Sequence, residues 1–206
     1  MLNRKITIKE QLQKAIGVLS LGRLKIEQGI FYNKNHTWAF LEKSGVAKVG
    51  MDDLLLHITG EVKVRHLKTP GENIKKDELF AEVDHNGKKL QIFSPVSGQI
   101  IDSNTALNEN TTFLNDDPYG KGWLYALKPT NWIAEIPSFY LAEEATDWLK
   151  KELERYKDFL AVTTSKHSPE TSMVILQDGG ELVENSLSEL PEQVWVDFQH
   201  EFLNPE

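Results

Sequence analysis

The sequence predicts a mainly β fold with helical additions, an α+β arrangement in which the strands come first and the long helix follows. Three observations carry this. Between residues 31 and 127, short apolar-alternating runs recur, punctuated by glycine and proline; that is the pattern of a small closed sandwich or barrel. Near the centre of that region, 79–83 and 90–93 face each other across a polar stretch holding Asn86-Gly87. Asn-Gly is the strongest short-range hairpin signal, because a type I′ turn needs positive φ at both central positions. Beyond residue 140 the apolar spacing changes to three and four, with Leu141, Ala145, Trp148, Leu149, Leu153, Tyr156 and Leu160 on one helical stripe.

Taken in order, the first element is a short helix in an N-terminal arm, residues 1–29. Thr7-Ile8-Lys9-Glu10 fits a capping box, and Leu12, Ala15, Ile16 and Leu19 follow at helical spacing. Residues 38–42 and 46–49 flank Lys43-Ser44-Gly45, a hairpin-length loop ending in glycine. Residues 52–59 predict one or two helical turns capped by Asp52 or Asp53. Alternation returns at 61–67, with Val62, Val64 and His66 on one face, and Thr69-Pro70-Gly71 turns the chain. The central hairpin comes next, then a break at Pro95 and Gly98 and a further β run at 99–101. A rigid turn at 116–122 and a last strand at 123–127 close a domain spanning 30–130. The third region, 131–206, holds the long helix at 141–160, with Glu143 and Glu144 in its first turn and Asp147 placed to pair with Lys151. A polar linker is expected at 161–170, a small hairpin around Asp178-Gly179-Gly180, and a second helix at 191–203 with Val194, Trp195, Phe198 and Phe202 on one side.

Composition narrows the function classes. At 206 residues the chain suits one ordinary domain with appendages or two small ones, and 40% hydrophobic with 26% charged residues is a globular rather than a disordered balance. A formal net charge of −8 argues against nucleic acid or an anionic membrane as partner. No cysteine is present, which removes disulfides, thiolate metal sites and cysteine nucleophiles together. With no stretch resembling a membrane span or a signal peptide, a cytoplasmic location is expected.

Several blocks point further: Tyr32 with His36-Thr37-Trp38, Val49-Gly50-Met51-Asp52-Asp53, Gly60-Glu61-Val62, Pro70-Gly71, Ser94-Pro95-Val96-Ser97-Gly98 and Asp117-Pro118-Tyr119-Gly120-Lys121-Gly122-Trp123-Leu124. On these blocks, in this order, residues 31–129 resemble the glycine cleavage system H-protein, of the lipoyl/biotinyl-domain group. The resemblance implies a barrel-sandwich hybrid. It also implies a carrier, whose lipoyl group sits on a lysine at the tip of the central hairpin. Counting back eight from Pro95, or forward ten from Asp77, the acceptor slot falls on Gly87, while Asp84 keeps the acidic residue three before it. The tail, with its helix after the barrel and its Gly-Gly turn, is similar to that of a divergent H-protein-like group lacking the acceptor lysine.

Two readings of the tip stand side by side. In the first, the chain is a non-catalytic interaction module without a cofactor, whose partner is a protein such as a lipoate- or glycine-metabolism enzyme. In the second, it is a lipoyl carrier whose covalent lipoyl group has moved to Lys88, with Lys89 as the next available amine. Side chains alternate along a strand, so an amine shifted by one residue points to the other face. The six histidines show no His-x-His or His-x-x-x-His spacing, so no metal site is expected. His36, inside a matching block, reads as structural, and His85 beside Asp84 as an exposed turn residue. No nucleophile elbow, phosphate-cradling glycine loop or zincin motif occurs, so no catalytic residue is assigned. The aromatic faces of the two C-terminal helices read as core rather than as partner surface.

Overall fold

The computed structural model describes residues 17–167 and 182–204. The expected N-terminal helix and most of the expected hairpin at 173–183 lie outside the described residues. Within them, Val18 bridges Val183 in antiparallel fashion and Leu19 N donates to Leu182 O at 2.7 Å, so Leu19 ends in extended backbone rather than on a helical stripe.

The strands are β1 (Phe31–Tyr32), β2 (Thr37–Leu41) and β3 (Ala47–Met51), then helix α1 (Asp53–Thr59), then β4 (Lys63–His66), β5 (Asn73–Ile74), β6 (Leu79–His85), β7 (Lys88–Phe93) and β8 (Gly98–Ser103). Two short helices, α2 (Ala106–Glu109) and α3 (Thr112–Asp116), precede β9 (Tyr125–Pro129). One sheet runs β1-β2-β3-β9-β8-β5 and the other β4-β6-β7. Every pairing is antiparallel. The two sheets close on each other as the barrel-sandwich hybrid. Their inner faces meet through Phe80, Val83, Leu90, Ile92, Val96, Ile100 and Leu127, all at most 1% exposed. Burying one such side chain stabilises the fold by roughly 1.5–3 kcal/mol. Tyr125 ties the sheets directly, its hydroxyl donating to Phe80 O at 2.9 Å.

Local chemistry explains the connections. Asp52 caps α1, its Oδ1 accepting from Leu55 N at 2.8 Å. The block 117–124 is a turn held by its own aspartate: Asp117 accepts from Gly120 N at 3.1 Å and Lys121 N at 2.9 Å. A Cβ on Gly120 would stand 2.4 Å from Asp117 Oδ2, so a larger residue there would push the carboxylate off these donors.

After the barrel come a short helix α4 (Trp132–Glu135), the long helix α5 (Ala142–His167) and α6 (Glu192–Phe198), which widens into a π-helical turn at Gln199–Leu203. The expected linker at 161–170 is corrected here: residues up to His167 continue α5. Its polar residues satisfy themselves along the helix, Ser165 Oγ donating to Ala161 O at 2.8 Å, and His167 Nε2 lies 2.9 Å from Asp197 Oδ2 of α6. Asp147 and Lys151 form no ion pair with each other, although one turn apart. The aromatic faces are core: Tyr156, Trp195, Phe198 and Phe202 are at most 2% exposed and join one continuous apolar cluster with the barrel.

Candidate functional site

The central hairpin has the expected two-residue turn. Asn86 and Gly87 have φ of 53° and 90°, the positive pair that a type I′ turn demands. Asp84 Oδ1 accepts from Gly87 N at 3.1 Å and helps to shape it. Gly87 is exposed, and a Cβ there would meet nothing within 4 Å. Position 87 is thus sterically open, and its glycine supplies no amine. A cavity of about 240 Å³ lies beside it, lined in part by Glu61, Asp84, His85 and Asn86.

Lys88 pairs with His85 across the ladder, and it shares a face with Leu90 and Ile92, the inner face of the sandwich. At this open end of the sandwich the C-terminal segment closes over both residues. Lys88 Nζ donates to Leu190 O at 2.9 Å and Ser188 O at 2.5 Å, and stands 5.6 Å from the Trp195 ring centre. His85 stacks on the same indole at 5.9 Å, and its Nδ1 lies 2.7 Å from Glu61 O. His85 is therefore half-buried under Trp195 rather than an exposed turn residue, and Asp84 serves the turn instead of pairing with it. Trp195 is itself fixed by donating Nε1–H to Leu187 O at 2.8 Å. Further along β7, the Gln199 side chain accepts from Gln91 N at 2.6 Å and donates to Gln91 O at 3.3 Å. A side-chain amide thus takes the place of a neighbouring strand on this edge. Lys89 points the other way and is exposed.

A second cluster binds the barrel to α5. His36, fully buried at φ 55°, puts Nδ1 2.9 Å from Asp52 Oδ2 and Nε2 3.3 Å from Glu152 Oε2. The Glu152 contact is an ion pair off hydrogen-bond alignment, so the Asp52 bond is the firmer of the two. Burial would lower the His36 pKa, but Asp52 and then Glu152 outweigh it and hold the imidazolium up to about 9. Burial likewise pushes Glu152 up, and His36 with Arg155 brings it below its ordinary value. The imidazole stacks on Trp148 at 5.3 Å. His36 is structural, as its block implies. Sequence reasoning missed Glu152, although an acid lying between Leu149 and Leu153 on an apolar stripe was the available signal.

Among the described residues no group of three or more His, Cys, Asp or Glu side chains is placed to hold a metal ion, and no helix is long and apolar enough to cross a membrane.

Residues 30–152 match the family model of the glycine cleavage H-protein. The probable glycine cleavage system H protein of Pyrococcus abyssi is 31% identical over 133 residues, covering 65% of this chain and 98% of that one. The glycine cleavage system H protein of Bacteroides fragilis is 34% identical over 108 residues, covering 52% and 85%. A crystal structure of the H protein from Mycobacterium marinum aligns with a TM-score of 0.47 at 29% identity, covering 51% of this chain and 87% of that one.

Proposed function

The chain belongs to the glycine cleavage H-protein family, a family of non-enzymatic carrier proteins, and we propose that within it this member is an interaction module that carries no lipoyl group. The observation that supports this is the state of the amines at the tip. The acceptor slot is Gly87, and the nearest amine, Lys88, is spent on two main-chain carbonyls and an indole of its own C-terminal segment. An acylated Lys88 would lose its charge, and with it the cation–π contact and the charge-assisted hydrogen bonds. The partner is a protein, with the lipoate- and glycine-metabolism enzymes as the class that the family suggests, and the place of action is the cytoplasm. The chain divides functionally into an arm at 1–29, the barrel at 30–130 and a capping region at 131–206.

Intact mass spectrometry of the full chain, purified from cells that make lipoate, tests this. The unmodified mass is expected. A lipoyl-sized increment mapping to Lys88 or Lys89 would establish a shifted carrier instead.

A further inference from the structure

Along the exposed side of α5, Glu144, Asp147, Lys151 and Arg155 follow at intervals of three and four, so they share one face and run from acid to base. Two cavities abut on this face and share Tyr140, Trp148 and Lys151. The first, about 570 Å³, adds Glu144 and Asp147 with Pro137 and Ser138. The second, about 340 Å³, adds Arg155, His200 and Lys34, with the carboxylates of Glu152 and Glu201, so the three fixed cations Lys34, Lys151 and Arg155 outnumber two anions there. Their common floor is rigid and apolar. Tyr140 stacks on Trp148 at 4.9 Å and 10°, and Trp148 is backed on its other side by buried His36. Asp147 and Lys151 make no ion pair among the described residues. Arg155, although bonded to Glu152 at 2.8 Å, keeps 46% of its side chain exposed.

We propose that this groove receives an extended peptide segment of a partner protein, about five residues long, with a basic residue over Glu144 and Asp147, an apolar one on Tyr140 and Trp148, and an acidic one at Lys151 and Arg155. The length follows from geometry. The eleven helical steps from Glu144 to Arg155 span about 16 Å at 1.5 Å each, which an extended chain covers in about five residues at roughly 3.3 Å each. Charge complementarity sets which residue lies at which pole, because exchanging the two charges would set like charges together at both ends. A single amino acid, with its charges only a bond or two apart, cannot reach both poles. This assignment rests on the reading of the chain as an interaction module and names the chemistry of its partner.

The test uses two blocked pentapeptides and the full chain, by isothermal titration at low salt. One has lysine first, leucine third and glutamate last; the other has glutamate at both ends. The first is expected to bind at least about fivefold more tightly, the scale of two exposed charge pairs. The double variant Glu144→Lys with Asp147→Lys should invert that preference, since both positions are on the surface and the change leaves the core intact. Absence of binding to either peptide at millimolar concentration, equal binding of both, or a preference unchanged in the double variant would each overturn the proposal. Any of these in a chain whose mass is unmodified leaves the non-acylated reading standing, whereas a lipoylated mass removes that reading whatever the peptides do.

Discussion

Gly87, where the family resemblance places the acceptor lysine, is the residue on which the carrier and non-carrier readings part. Its φ of 90° suits glycine and disfavours a side chain by about 1–2 kcal/mol, yet the space around it is empty. Gly87→Lys is therefore expected to fold and to present an amine at the tip. A lipoate ligase should modify this variant in vitro while leaving the parent untouched, read by intact mass. A folded but unmodified variant would mean that the surrounding recognition surface has diverged as well. His36 supports a second expectation. Its pKa is raised from 6.5 to about 9, so the folded state binds the proton more tightly than the unfolded one. The stabilisation, up to about 3 kcal/mol from the shift, is complete below pH 6.5 and is lost as pH rises through about 9. Thermal unfolding between pH 6 and 9.5 should show this fall, and His36→Gln should be less stable at pH 6 and flatter across the same interval.

The hairpin and its C-terminal cover behave as one element. β7 is an edge strand, and an uncovered edge is a template for pairing with another chain. Gln199 removes that hazard at Gln91 by making both main-chain hydrogen bonds of a missing neighbour. Gln199→Ala is expected to cost about 1–2 kcal/mol and to promote concentration-dependent association, measured by urea unfolding and light scattering. Lys88→Met probes the inner face. It leaves the carbonyls of Ser188 and Leu190 without their donor, at about 1–3 kcal/mol, and loosens α6 before the barrel. Faster hydrogen exchange confined to residues around 187–199 would report that order of events, and uniform exchange across the barrel would contradict it.

Across the whole molecule, the apolar cluster runs without interruption from the barrel strands through α5 to Leu203. Ending the chain after Pro129 removes Trp148, Tyr156, Trp195, Phe198 and Phe202, each of which buries its ring against the rest. At roughly 1.5–3 kcal/mol for each side chain, the loss exceeds what a marginally stable domain tolerates. The truncated barrel is expected to aggregate or to unfold at much lower urea. A soluble barrel of parental stability would instead mark 131–206 as an independent unit.

Much of this was legible in the residues alone. Alternation at 79–83 and 90–93 with Asn86-Gly87 between them placed the hairpin and its turn type, because those signals lie within a few residues of what they specify. The stripe from Leu141 to Leu160 placed the long helix in the same way. Its extension to His167 was obscured because Thr163, Thr164 and Ser165 read as linker residues, while in the fold the two threonines are buried and Thr164 and Ser165 bond back to carbonyls of their own helix. What periodicity could not carry was the company each side chain keeps. Lys88 meets a carbonyl exactly one hundred positions later in the chain, and His36 finds its second carboxylate on a helix that follows the whole barrel. A strand pattern states which face a residue takes but not what arrives to cover that face, so the fate of the amine beside the turn was decided by packing.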